Sequence, residues 1–546
     1  MIVYGDHGRH VDPAVEHRRI AADLAAIAAL PPGLERHGRL VGALIATGML
    51  VQGLADRGAG AAAVATLMAD ATLVARAVIA SWDSDFAEMP ALPDLTQLDA
   101  RSEMWPHSVL LKLPEGYAWY ALYPESYAIA ARRLPVTGAP VVVVGIRSIG
   151  TSLAAIVAAA LDAPPPMTVR PDGPPFDRQV APLPPVPDGA QVIVVDEGPG
   201  LSGSSFAATA AMLAEIGVPP DRIAFLPSHG GGPGPEATPV IRHRWATTAQ
   251  AVVEFEVLIP PERLRDWAET LLGPLDGVPH DVSGGAWRQE RYADPARWPA
   301  VAAQQERRKY LVRRGGRRWL LKFAGLGAEG ARKLDRARRL AAAGLVPPVH
   351  GLLHGFLIMD WLDGAADDAG PGPMRVADYL AARQRLLPPP EARGAALADL
   401  AEMARHNLGR DIPALAGADR LAGRVVSVAI DGRMDGCEWI GGVKADALDH
   451  DRSHDLIGAQ DIAWDVAGAI VELDYGPEQI AVLLGRLESV LARAVDPALL
   501  RFYHPCYCAF RLGAATFARS AATPADAARL DARITHYRET ADAGFA

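Results

Sequence analysis

Cysteine is scarce. The chain has three in 546 residues, Cys437, Cys506 and Cys508, too few for a disulfide framework. The Cys506-x-Cys508 spacing is too tight for a zinc ribbon, so buried thiols in a reducing compartment are expected. An excess of basic residues is also missing. Lys plus Arg is 54 against 64 for Asp plus Glu, a net charge of -10, which argues against a generic nucleic-acid binder. A local basic pocket for a small phosphorylated ligand is still compatible with that balance. No uninterrupted apolar run reaches the ~20 residues that span a bilayer. Met1–His10 is polar, without the basic start and apolar stretch of a signal peptide. No membrane partner and a cytoplasmic location are therefore expected.

What is present is an ordinary globular balance, 50% hydrophobic and 22% charged, in a chain too long for one core. Four segments separate. Residues 1–101 are a helical N-terminal segment, with apolar residues at helical spacing and breaks at Pro31-Pro32-Gly33 and Gly58-Ala59-Gly60. No chemistry is visible in it. In 102–245, Val109–Leu113 and Trp119–Leu122 read as strands and Pro124–Arg133 as a helix. The four-valine run Val141–Val144 suits a strand buried on both faces of a parallel sheet. It leads through Gly145-Ile-Arg147-Ser148-Ile-Gly150 into a helix. After a Pro-rich loop the pattern repeats: strand Gln191–Val195, a Gly/Ser turn, a helix from Phe206 and a strand ending at Leu226. This is the grammar of an open α/β sheet, whose ligands sit at the carboxyl ends of the strands. Residues 246–305 read as a connector. From 306 to 546 a hairpin around Gly315-Gly316, a charged helix, the strand Gly355–Leu362 and a mostly helical remainder follow.

The segment Val192-Ile-Val-Val-Asp196-Glu197-Gly-Pro-Gly200-Leu-Ser202-Gly203-Ser204-Ser205-Phe206 joins three physical roles. An apolar strand delivers two carboxylates to its end. A Gly/Ser turn exposes N–H and hydroxyl donors, and a helix N-terminus follows. Carboxylates beside a phosphate cradle suit a ligand with hydroxyls on one side and phosphate on the other. The segment resembles the ligand motif of the type I phosphoribosyltransferases. That resemblance implies that Asp196 and Glu197 hold the ribose 2- and 3-hydroxyls and that Gly200–Ser205 wrap the 5-phosphate. It also places the turn containing Gly145, Arg147, Ser148 and Gly150 as the diphosphate loop. Asp-Glu replaces the family's usual pair, and the loop is about one residue longer. The plainer alternative is a strand–turn–helix whose acids only cap the helix. Tyr117, Tyr120, Tyr123 and Tyr127 read as core more readily than as base-stacking residues. His229 follows the next strand and points to the same crevice edge; a loop histidine without a role is the plainer reading, proton transfer the alternative.

In the last segment Lys322 sits in the apolar strand Trp319–Phe323, where an ammonium needs a partner. With Gly355–Gly364 and Gln460-Asp461-Ile-Ala-Trp-Asp465 it resembles the aminoglycoside phosphotransferase and choline kinase families. The resemblance implies two lobes, nucleotide contacts at Lys322 and at a hinge near Met359 and Trp361, and an Asp465 that braces the catalytic loop. The His-Gly-Asp-x-x-x-x-Asn loop is absent. Asp431-Gly-Arg-Met-Asp435-Gly-Cys-Glu438 is the stand-in, with Asp431 as base and Glu438 as a magnesium ligand; Asp446 and Asp449 are the further metal candidates. Glu329 and Asp335 compete as the helix acid for Lys322. The expectation is thus an α/β enzyme: a magnesium-dependent phosphoribosyltransferase that uses 5-phosphoribosyl 1-diphosphate on an unspecified small-molecule acceptor. ATP is a possible co-substrate, and a homodimer is left open. The rival reading is a non-catalytic nucleotide or ribosyl-diphosphate sensor, or a scaffold, with a degraded kinase lobe.

Overall fold

Three long helices form the N-terminal part of the chain, Pro13–Ala28, Leu34–Asp56 and Ala61–Asp83, separated at the Pro/Gly breaks. The computed structural model describes residues 1–6, 8–95, 105–135, 138–366, 370–450 and 453–543. Two of these helices, Leu34–Asp56 and Ala61–Asp83, are long and apolar enough to cross a membrane, and their apolar windows are 67% and 44% buried against the rest of the chain. Before the helices, β1 (Gly8–Val11) pairs antiparallel with β2 (Val109–Lys112). The aromatic stretch after β2 is not a strand. Glu115–Trp119 is a short helix closed by the Leu122 N–H donating to the Gly116 carbonyl at 3.1 Å. Burial of Tyr117 and Trp119 overrides their strand preference.

The parallel sheet comprises β3 (Val141–Ile146), β4 (Met167–Val169), β5 (Gln191–Val195), β6 (Ile223–Leu226) and β7 (Ala249–Gln250), in the order β4-β3-β5-β6-β7. β4 lies inside the Pro-rich stretch read as loop, and at three residues it is too short to show a period. Alternation along β5 splits the strand between two cores. Ile193 and Val195 join the N-terminal helices and Gly150–Ala160, while Val192 and Val194 join Phe206, Phe225 and Trp245. Because β4 and β5 flank β3 on opposite sides, the chain reverses direction there. That topological switch point lies at the carboxyl ends of β3 and β5.

A second, antiparallel sheet has the order β11-β12-β10-β9-β8, built from β8 (His280–Asp281), β9 (Lys309–Arg314), β10 (Arg317–Phe323), β11 (Val349–Leu353) and β12 (Phe356–Asp360). The helix Gly327–Ala342 follows β10. The stretch read as connector thus supplies an edge strand to each sheet, β7 and β8. A helical body follows, centred on Ala463–Glu472 and Pro497–Ser520, with the short hairpin β13 (Trp439–Ile440) and β14 (Val443–Lys444). Phe323, Phe356 and Ile358 of the antiparallel sheet belong to the same apolar cluster as the N-terminal helices and the parallel sheet. At that junction Glu125 is 1% exposed and accepts from His37 Nε2 at 2.7 Å and His354 Nε2 at 3.0 Å, joining three parts of the chain.

Candidate functional site

A cleft of about 640 Å³ opens at the switch point, lined by Arg147, Ser148, Arg170, Asp196, Glu197 and Gly200, among others. Two glycines let the β3 turn lie flat against β5. A Cβ at Gly145 would stand 2.2 Å from the Gly150 carbonyl oxygen, and one at Gly150 would stand 2.6 Å from the Val195 carbonyl oxygen. The Arg147–Ser148 peptide is cis. The structure therefore brings Gly145, Arg147, Ser148 and Gly150 beside Asp196 and Glu197, as the sequence spacing anticipates.

Asp196 and Glu197 emerge from β5 into the cleft. Glu197 Oε2 accepts the Gly116 N–H at 3.0 Å, and Tyr127 donates its hydroxyl to the Asp196 carbonyl at 2.8 Å. Burial pushes the Asp196 carboxyl up to about 7, against its backbone hydrogen bond and Arg170. Burial, with repulsion from Glu115 and Asp196, pushes Glu197 up to about 8. Both carboxyls thus favour a ligand that brings hydroxyl donors or a cation. These are hard oxygen donors of the kind magnesium takes, so the pair fits that ion.

The Gly/Ser turn divides. Gly198 and Gly200 line the cleft, and Gly200 and Gly203 have φ of +63° and +68°. Ser202, Gly203, Ser204 and Ser205 are not among the lining residues. Ser202 and Ser204 are buried, and the Ser202 hydroxyl donates to Ser204 Oγ at 2.9 Å and accepts the Ser204 N–H at 3.2 Å. The segment 230–236 packs over this turn, with the Gly234 N–H on the Gly200 carbonyl at 2.9 Å. Of the four tyrosines, Tyr117, Tyr123 and Tyr127 are buried, Tyr123 with an edge in the cleft wall, whereas Tyr120 is 47% exposed and lines the cleft with His229.

Sequence reasoning passed over Arg170, at the end of β4, and Asp56, from the helical segment read as having no chemistry. Asp56 Oδ1 lies 3.0 Å from Arg147 Nε and accepts from Arg170 Nε at 3.0 Å. Its signal was an acid on the last turn of a helix, where the dipole favours cations. Arg170 sat in the unrecognised strand's wake.

The second expected site is arranged differently from its sequence reading. Lys322 is 5% exposed, and its ammonium lies 2.7 Å from Asp446 Oδ1 and 2.5 Å from Asp449 Oδ2. Asp449 Oδ1 lies 2.7 Å from Lys333 Nζ on the helix Gly327–Ala342. Lys322 thus pairs neither with Glu329, which binds Arg332, nor with Asp335, which binds Arg339. Burial alone would raise Asp446 and Asp449, but Lys322 overrides it and holds both below the carboxylate range. These acids are spent on lysines rather than on a metal. Glu438 is held by the Lys444 ammonium, and burial still pushes it up to about 7. Glu438, Asp446 and His450 converge closely enough for an ion, yet an imidazole with two lysine-paired acids is a poor magnesium set. Magnesium does not fit here.

Asp431 is 1% exposed and takes the Tyr379 hydroxyl and His450 Nδ1, with Lys444 Nζ 3.6 Å away. Although its burial alone would raise it, Lys444, His450 and Arg383 hold it far below the carboxylate range. Asp465 accepts the Asp431 N–H at 2.7 Å and the Gly432 N–H at 2.9 Å, so it braces that loop. Met359 and Trp361 are 2% and 7% exposed. Arg291 lies 4.1 Å from the Trp361 ring centroid and donates to the Leu362 carbonyl at 3.0 Å. The Trp361 N–H itself donates to the Arg318 carbonyl at 3.0 Å. Both side chains are therefore buried, and the backbone around Trp361 is already hydrogen-bonded within the chain.

No family model and no curated protein matches this chain. Among solved structures it is similar to a choline kinase from Streptococcus pneumoniae, at 14% identity and TM-score 0.31, covering 42% of this chain and 89% of that one. It is also similar to a spectinomycin phosphotransferase, at 11% identity and TM-score 0.33, covering 51% and 93%. A choline/ethanolamine kinase family protein from Mesorhizobium loti matches at 14% identity and TM-score 0.27, over 42% and 84%.

Proposed function

We propose that the switch-point cleft binds 5-phosphoribosyl 1-diphosphate with magnesium and transfers its phosphoribosyl group to a small-molecule acceptor. The observation that carries this reading is the pair Asp196 and Glu197, two carboxyls lifted towards neutrality by burial, lining one cleft with Arg147. A ligand with vicinal hydroxyls and a diphosphate matches both poles. Asp196 and Glu197 orient the ribose hydroxyls, and Arg147 and the β3 turn hold the diphosphate. Magnesium, held by the same carboxyls, would neutralise diphosphate charge. In the transfer, the bond from ribose C1 to the diphosphate oxygen breaks, the diphosphate leaving with the electron pair. A bond from the acceptor's nucleophilic atom to C1 forms, and the acceptor proton passes to His229 or to water. Tyr120 offers an exposed aromatic face for the acceptor. Calorimetric titration of the full chain with 5-phosphoribosyl 1-diphosphate and magnesium tests the reading; no heat of binding refutes it.

For the second half, the Lys322–Asp446–Asp449–Lys333 network favours a lobe that does not transfer phosphate. Its acids are neutralised by its own lysines, and the backbone around Trp361 is already hydrogen-bonded within the chain. Its role is then architectural: Arg308 of that half lines the cleft, with its guanidinium 4.0 Å from the Phe255 ring centroid. A phosphate-release assay with ATP and magnesium tests this, and turnover on any acceptor refutes it.

A further inference from the structure

The cleft carries a second arginine, and behind the two arginines lies a carboxylate from outside the sheet; neither is explained by the turn that holds Arg147. Arg170 donates from NH1 to the Arg147 carbonyl at 2.7 Å, and its NH2 lies 3.4 Å from the Ser148 hydroxyl. It reaches the turn from the neighbouring strand and fixes it from the side. Asp56, at the end of the helix Leu34–Asp56, takes both guanidiniums on one carboxylate: Arg147 Nε at 3.0 Å, and Arg170 Nε at 3.0 Å together with Arg170 NH2. Asp56 is itself held by the Gln52 amide at 2.6 Å. Arg147 NH1 donates to Thr168 Oγ1 at 3.2 Å. These contacts use fewer N–H donors than two guanidiniums carry, so donors remain for a ligand.

Two like charges side by side repel. Here one carboxylate holds them together and leaves a net positive pair in the wall of the cleft that the two acids also line. A single phosphate needs one such fork. A diphosphate presents two linked anionic groups and matches two forks at fixed separation. We infer that Arg147 and Arg170 form a paired clamp selective for diphosphate over monophosphate, with Asp56 of the N-terminal helix as its positioning residue. This rests on the ribosyl-diphosphate reading of the cleft and adds to it the residues that discriminate the leaving group. It also gives the N-terminal helices a place in the site.

Removing Asp56 separates positioning from simple counter-charge by sign. If Asp56 only offset positive charge, Asp56→Ala would leave the cleft more cationic and tighten anion binding. If it aligns the clamp, Asp56→Ala weakens diphosphate binding, and Asp56→Asn, which keeps an acceptor oxygen for Arg170 Nε, retains more of it than Asp56→Ala does. The experiment is calorimetry on the full chain with magnesium, using inorganic diphosphate, 5-phosphoribosyl 1-diphosphate and ribose 5-phosphate, with thermal unfolding of each variant alongside. Arg170→Ala should weaken both diphosphate ligands about 10- to 100-fold, the loss expected of charge-assisted hydrogen bonds, and ribose 5-phosphate by less than about threefold. Arg170→Lys, which keeps charge without the fork, should recover part of the loss. Equal losses on all three ligands with a lowered unfolding temperature would reduce the trio to a structural tie and overturn the clamp. So would unchanged diphosphate preference in Arg170→Ala, or tighter binding in Asp56→Ala, while leaving the ribosyl reading intact. A wild-type protein that binds neither diphosphate ligand overturns both.

Discussion

Gly116 donates its backbone N–H to Glu197 Oε2 at 3.0 Å, and the carbonyl of the next residue, Tyr117, accepts the Leu326 N–H at 2.9 Å. One cleft carboxylate is thereby linked, through two peptide groups, to the cap of the helix that carries Lys333 in the second half. Together with the apolar cluster shared by Leu44, Ile193 and Phe323, this makes the halves one structural unit.

That continuity predicts a single cooperative unfolding transition for the full chain in scanning calorimetry. Saturating 5-phosphoribosyl 1-diphosphate with magnesium should move the whole transition upward, by linkage of binding to folding. Two separated transitions, with only the first one responding, would contradict the shared core.

Asp196→Asn combined with Glu197→Gln should weaken 5-phosphoribosyl 1-diphosphate binding by about 2 kcal/mol or more, since hydrogen bonds to charged groups contribute roughly 1.5–3 kcal/mol each. Titration calorimetry reads the difference. Unchanged affinity in the folded double variant removes the ribose assignment.

The same carboxyls set a pH dependence. Their folded values, about 7 and about 8, lie above the ordinary carboxylate range, so the folded protein holds more protons than the unfolded chain between them. Stability from this source is fully present below the ordinary carboxylate range, declines as pH rises from there, and is lost once pH has passed through about 7 to 8. The neutral double variant should therefore gain thermal stability over wild type at pH 8 and not at pH 4. Ligand with magnesium should release protons on binding near pH 7, seen as a buffer-dependent heat.

Gly145→Ala would force a Cβ to 2.2 Å from the Gly150 carbonyl oxygen, which is backbone and cannot swing aside. Overpacking of this kind costs about 1–3 kcal/mol. Denaturant unfolding should show that loss, and diphosphate binding should fall with it because the turn between Gly145 and Gly150 is forced open.

In the second half, Asp449→Asn should destabilise more than Asp446→Asn, because Asp449 serves Lys322 and Lys333 while Asp446 serves Lys322 and is a quarter exposed. Breaking a buried pair from one side costs about 3–5 kcal/mol, measurable by urea denaturation. Equal, small effects would mean that these acids are free for another role.

The sequence by itself determined the elements whose signal is local. The Pro/Gly breaks set the three N-terminal helices, the valine run set β3, and the Asp196-Glu197 pair before a Gly/Ser turn marked the cleft. Gly145 and Gly150 were legible because close backbone approach tolerates no Cβ. Tertiary structure alone decided partners. β4 and β7 are too short for a periodic signal, so the strand order and its switch point emerge from pairing. Arg170 meets Asp56 across 114 residues, and Lys322 meets Asp446 across 124. A charged residue's sequence neighbours say that it needs a counter-ion. Which one it finds is fixed by the packing of distant elements, because a buried charge is stable only beside a partner that the folded chain brings to it.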